Sequence, residues 1–220
     1  MSEFKKRMES YRRHPGSFLL FLLVMLSALT TFVVLLFLIA YILIKGVPNL
    51  KPSLFAWKYT TDNASMLPSI INTLIMTVMS LLIAVPFGIF SAIYLTEYAK
   101  KGNKLVGIIR LTTETLSGIP SIVYGLFGSL FFVTYLKWSY SLAAGALTLA
   151  IMILPLVMRT TEEALKSVPD MYREGSFGLG AGKLRTVFCV VLPSAIPGIL
   201  SGVILSIGRI VGETAALIYT

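Results

Sequence analysis

Three charged residues stand where charge is costly. Arg209 and Glu213 lie in the apolar stretch that closes the chain, and Arg159 sits at the end of another. Within hydrocarbon such a side chain costs roughly 2.5–3.5 kcal/mol on insertion scales unless a partner or water meets it, so Arg209 and Glu213 are candidates for lining a solute path. Arg209 and Glu213 are four residues apart, which puts them on one helical face and predicts an ion pair. Counted from Pro193, Arg209 falls about 24 Å along its helix, toward the outer half of a membrane. The chemistry suits an oxyanion, because a planar guanidinium offers paired donors to phosphate and stays charged when desolvated. A conducting path must release its ion, so weak and transient contacts are expected. The competing reading is structural: an ion pair that fixes helix packing, and for Arg159 an anchor that reaches the headgroups.

Little else offers chemistry. His14 is the only histidine and lies in a polar tail beside Arg12 and Arg13, which leaves no histidine dyad or metal cluster. Cys189 is the only cysteine, so an internal disulfide and a zinc site built on clustered thiolates are excluded, and it reads as a small core residue. No paired acids and no nucleophile with a base suggest a membrane enzyme.

The elements that must hold these residues are membrane spans. With 56% hydrophobic and only 13% charged residues among 220, the chain suits lipid rather than water. Behind a tail over 1–17, the first run covers 18–44, too long for the ~7–15-residue core of a cleavable signal, and reads as a retained transmembrane helix. A proline-punctuated loop over 45–67 follows, with Lys45, Lys51, Lys58 and Asp62. The remaining 68–220 forms one core domain. Its runs extend over 70–95, 105–136, 139–158 and from Val187 nearly to the end. Pro86 and Gly88 interrupt the first of these, as membrane helices tolerate. The sequence Ser117-Gly118-Ile119-Pro120 splits the second, predicting a helix that bends or restarts at Pro120. Glu114 lies in a stretch that reads as an amphipathic helix near the inner interface, with no assigned role.

The net charge of +9 follows from topology rather than from a nucleic-acid partner. Segments 1–17, 96–110 and 159–185 carry 14 Lys and Arg, whereas the alternate loops carry four. The positive-inside rule therefore puts the amino terminus and the 159–185 segment in the cytoplasm.

That segment reads RTTEEALKSVPDMYREGSFGLGAGKLRTVFCVVLP over 159–193. Glu162 to Val168 can extend a helix, Pro169 stops it, and Asp170 is a suitable cap for a short second helix bearing Met171, Tyr172 and Phe177. Gly178, Gly180 and Gly182 allow a sharp turn. Such a knob could lie in a groove of a cytosolic partner, against the plainer alternative of a solvated loop. The glycines do not make a nucleotide-binding loop. A motif ending at Gly182-Lys183 needs Gly at 177 and Ser or Thr at 184, where Phe177 and Leu184 stand.

Glu174-Gly175-Ser176, three residues, Gly180, nine residues, Val190, one residue, then Leu192-Pro193 is similar to the E-A-A…G…I-x-L-P loop of ABC importer permeases, with small residues for the alanines and Val190 for isoleucine. Three further stretches resemble the permeases of the phosphate-specific system: VPFGIFSAIYLTEYA at 85–99, SGIPSIVYGLFG at 117–128 and GRIVGETAALIYT at 208–220. The ending around Gly212-Glu213-Thr214-Ala215 is nearer the A-type than the C-type subunit. The resemblance implies an all-α, polytopic, type I (MetI-like) fold in which five spans are visible and a sixth, expected after the Gly-Glu-Thr region, is not.

It implies further that Asp170, Glu174, Gly175, Ser176, Gly180, Leu192 and Pro193 belong to a loop over 159–192 that docks on an ATPase subunit. Arg159, Arg209 and Glu213 are the expected path residues. The implied partners are a C-type permease subunit in a heterodimer, a cytosolic ATPase dimer, an extracytoplasmic phosphate-binding protein and membrane lipid. ATP and Mg would be used by the ATPase, with no cofactor on this chain. A permease for molybdate or sulfate is the alternative within transporters, and a passive anion channel the alternative outside them.

Overall fold

The computed structural model describes residues 15–61, 64–100 and 102–220. His14 and the tail before it, Asp62 and Lys101 lie outside the described residues. The chain divides into two units, residues 1–67 and 68–220.

The first unit is dominated by α1 (Pro15–Gly46), which is apolar on every face, as expected of a helix solvated by lipid. Inside it Thr30 and Thr31 hydroxyls donate to the carbonyls of Leu26 and Ser27, satisfying themselves within their own helix. Two short 3-10 turns follow, Val47–Asn49 and Pro52–Phe55, each with a proline in its first two residues. The Met66 N–H donates to Leu54 O at 2.7 Å and the Ser65 hydroxyl donates to the Leu54 and Ala56 carbonyls, tying this loop together.

The second unit is built round one helix. In chain order it contains α2 (Leu67–Ile93), α3 (Lys104–Ser117), α4 (Ser121–Gly128), α5 (Leu142–Ser167), α6 (Asp170–Gly178), α7 (Lys183–Thr186) and α8 (Leu192–Val211). Wider π-helical turns extend α2 over Tyr94–Tyr98 and α4 over Ser129–Tyr135, and join α7 to α8 over Val187–Val191. Central α5, capped by the Ser141 hydroxyl, packs against α3, α4 and α8. Without water to drive burial, such packing depends on close approach. Gly198 and Gly202 of α8 meet Ala164 and Thr160 of α5, so that a Cβ on Gly198 would stand 2.7 Å from the Ala164 methyl carbon. The two helices run antiparallel in that register. Ser80 of α2 donates to Met76 O at 2.7 Å and also reaches the α5 carbonyl of Ala146 at 2.9 Å.

Among the described residues four helices are long and apolar enough to cross a membrane: Gly16–Asn49, Leu67–Tyr98, Leu142–Ser167 and Lys183–Val211. The expected split at Pro120 is sharper than a bend within one span. Helices over Lys104–Ser117 and Ser121–Tyr135 meet at 100°, so this run is a broken pair rather than a straight rod. Pro120, extended at φ −57 and ψ 138, sets that corner. The Tyr124 hydroxyl staples it by donating to Leu116 O at 2.8 Å, one of the α3 carbonyls that lost its helical partner. Cys189 is exposed on the α7–α8 turn and not in the core as expected, because the wider π turn rotates it outward.

Candidate functional site

The 159–193 segment folds as a rigid knob. Helix α5 overruns its apolar part as far as Ser167. Val168 is then extended, as the residue before proline prefers, and Pro169 turns the chain into α6. Asp170 is not the helix cap expected of it. Pro169 holds that position, and Asp170 enters the first turn, where its carboxylate accepts from Arg173 at 3.1 Å. Gly180, at φ +83, closes the turn after α6, a conformation costly for any residue with a Cβ. Gly178 and Gly182 need no such freedom.

Arg173, which no local spacing singles out, organises the knob. Its guanidinium meets Glu97 at 2.7 Å and donates to the carbonyls of Leu165 at 2.9 Å and Val168 at 2.8 Å. One side chain thus ties α6 to the last turn of α5 and to the turn that ends α2. Lys183 adds a second tie, its ammonium 5.2 Å from the centre of the Tyr98 ring. On the far side the Ser176 and Thr186 hydroxyls are hydrogen-bonded at 2.8 Å, joining α6 to α7. Glu174 and Gly175 are exposed on α6, and nothing crowds Gly175. Leu192 is half-buried and Pro193 occupies the first turn of α8. Met171, Tyr172, Phe177 and Leu179 stand outward, Leu179 91% exposed. A helix clamped from behind and apolar in front has the form of a docking element.

The path candidates are not brought to one point. Helix α8 ends at Val211, with Gly212 as its C-cap, so Glu213 lies beyond the helix and the expected pair with Arg209 does not form. Glu213 instead accepts from the Ala216 N–H at 3.0 Å, fixing the final turn. Arg209 has no carboxylate partner among the described residues. It is half-buried and stands in the last turn of α8, the carbonyl end of that helix, which favours a cation.

The helix carrying Arg209 also begins earlier than expected, running from Lys183 without a break. With Gly202 against Thr160, the antiparallel register puts Arg209 level with Ile153, midway along α5 rather than toward an end. Arg159 lies about 9 Å farther along the same axis. It is held by Glu163 at 3.1 Å and reaches Glu114 of α3 at 4.0 Å. No group of three or more His, Cys, Asp or Glu among the described residues could hold a metal ion.

Known proteins are similar to this chain in sequence and in fold. A family model described as binding-protein-dependent transport system inner membrane component matches residues 84–220. The probable ABC transporter permease protein YqgI of Bacillus subtilis (strain 168) is 40% identical over 185 residues, covering 83% of this chain and 63% of that protein. The phosphate transport system permease protein PstA 1 of Mycobacterium tuberculosis (strain ATCC 25618 / H37Rv) is 41% identical over 147 residues, which is 67% of this chain and 47% of the relative. PstA of Yersinia pestis is 33% identical over 227 residues, 100% of this chain and 75% of the relative. The chain spans 63% and 47% of the length of the first two. Among solved structures, the inward-facing MetNI methionine ABC transporter superposes with a TM-score of 0.55 at 23% identity, covering 67% of this chain and 68% of that one, a likeness of fold.

Proposed function

The chain belongs to the binding-protein-dependent transport system inner membrane component family, and on that footing we propose that it is the A-type permease subunit of an ATP-driven importer of inorganic phosphate. Its fold is that of a type I ABC permease. In this reading the amino terminus and the 159–192 loop are cytoplasmic, a C-type subunit completes the path, and a binding protein delivers phosphate from outside. A separate ATPase dimer hydrolyses ATP.

The observation that carries the reading is the clamped knob. When the ATPase subunits close, a helix lying in their surface must move as a body if the motion is to reach the membrane. Arg173 ties α6 to both α2 and α5, so displacement of α6 is passed to two spans at once. The names of the PstA relatives support phosphate as solute, and Arg209, a cation with no carboxylate partner among the described residues and level with the middle of α5, supports an oxyanion path. Arg159 serves as a second station nearer the cytoplasm, while Glu213 shapes the turn beyond Arg209.

The test is ATP-dependent uptake of labelled phosphate into vesicles containing this chain and its partner subunits, with sulfate and molybdate as competitors. Phosphate-selective uptake that is lost in Arg209→Gln, with normal assembly, is expected. Uptake of another oxyanion rejects the solute, and an indifferent variant rejects the path residue.

A further inference from the structure

Six charged side chains interleave between α3 and α5, and they form two triads of opposite character. In the first, Glu162 is held by Arg110 at 2.7 Å and Lys166 at 2.6 Å, and its side chain is only 14% exposed. Two cations on one shielded carboxylate oxygen tie α3 to α5 here, although Arg110 and Lys166 are themselves 44% and 53% exposed. In the second, Arg159 is bound by Glu163 of its own helix through Nε at 3.1 Å, while Nη1 reaches Glu114 of α3 at 4.0 Å. The three side chains are 54%, 64% and 70% exposed. The Glu114 contact is long and wet, and exposed pairs of this kind hold their partner by no more than about fivefold in an equilibrium. A cavity of about 190 Å³, several times the roughly 30 Å³ of a water molecule, opens between the two triads.

We propose that Glu114 is a tethered competitor for the transported oxyanion: its carboxylate occupies the Nη edge of Arg159 when the path is empty and displaces phosphate from that guanidinium into the cytoplasm. The inference rests on the phosphate reading above. Nε is committed to Glu163, so the Nη edge is the one left for an incoming anion. Hydrogenphosphate brings two charges and several acceptor oxygens against the single charge of a carboxylate, and it can take that edge from Glu114. Tethering then favours return, because a group held nearby acts at an effective concentration in the millimolar range. Phosphate arriving from the path is released, and phosphate in the cytoplasm must outcompete Glu114 to re-enter. Glu114 is a positioning residue in this scheme, acting through Arg159, and it shortens the stay of phosphate at the inner end of the path, while ATP sets the direction of transport.

The readout is inhibition from the ATP side. Vesicles are loaded with ATP and graded orthophosphate, or with nitrate at matched ionic strength, and the initial rate of labelled phosphate uptake is measured with the assembled transporter. In Glu114→Gln the internal phosphate that halves uptake is expected to fall about two- to fivefold, while Glu114→Asp, which keeps the carboxylate on a stem one methylene shorter, falls between Glu114→Gln and wild type, and nitrate has no effect on any of them. A half-inhibiting concentration unchanged or raised in Glu114→Gln overturns the proposal, as does equal inhibition by nitrate or a wild type insensitive to internal phosphate. A merely structural role lowers the rate without moving that concentration. Failure of the phosphate reading is visible separately, as absence of phosphate uptake by the wild type.

Discussion

Replacing Arg173 by methionine removes the clamp behind α6 while keeping most of the side chain's volume. The Arg173 and Glu97 side chains are only 15% and 9% exposed, so the variant leaves a carboxylate nearly out of water without its cation. Breaking a buried pair in this way costs about 3–5 kcal/mol. The Leu165 and Val168 carbonyls lose charged donors as well, although these losses overlap with the first. Taking the low end, about 3 kcal/mol, the docked position of α6 against α2 and α5 should weaken by a little over two decades. Amide hydrogen exchange over 170–178 in the assembled transporter reads that equilibrium directly. The ratio of phosphate imported to ATP hydrolysed reads its consequence. Faster exchange confined to α6 and its turn, with hydrolysis continuing and uptake falling, is the expected pattern. Adding Glu97→Gln should recover part of the protection, because the orphaned charge is removed with its partner. Exchange unchanged within about twofold, or strictly additive effects of the two substitutions, would refute the argument that this pair holds the knob.

Gly202→Ala pushes a methyl group into Thr160 where α5 and α8 meet, and overpacking of that kind costs about 1–3 kcal/mol, to be seen as a lower unfolding temperature in detergent. Gly180→Ala must adopt φ near +83 and should destabilise the turn after α6 by about 1–2 kcal/mol, exposing 178–183 to limited proteolysis while the spans stay intact. Glu213→Gln retains an oxygen able to accept from the Ala216 N–H and has no Arg209 pair to break, so uptake close to wild type is expected, and its complete loss would show that the charge itself is needed.

Much of the outline was legible in the residues. Apolar runs predict spans because a helix in lipid must satisfy its backbone internally, and the run lengths reappear in α1, α2, α5 and α8. Pro169 before the short helix and the glycines after it predicted the α6 knob, since proline stops and glycine turns act within a few residues of themselves. The break at 117–120 was read for the same reason, although the 100° corner exceeds what the sequence suggested. The Arg209–Glu213 pair failed where a local rule met a local stop: spacing of four implies a shared face only while the helix lasts, and α8 ends at Val211.

What the sequence by itself determined, then, is the solvent of the chain, the positions of its spans and the existence of a short helix set between two turns after α5. Each of these arises from neighbours along the chain. Tertiary structure alone decided that Arg173 would find Glu97, 76 residues away, and that Glu114 would face Arg159 across two helices. It also decided that Arg209 of α8 would stand level with the middle of α5, with no carboxylate partner among the described residues. These outcomes depend on the antiparallel register of α5 and α8, set by Gly198 and Gly202 admitting Ala164 and Thr160, and on the π turns that re-aim helix ends. Close packing of small side chains is a property of two surfaces together, and no periodicity within either helix specifies which residues of the other it will meet.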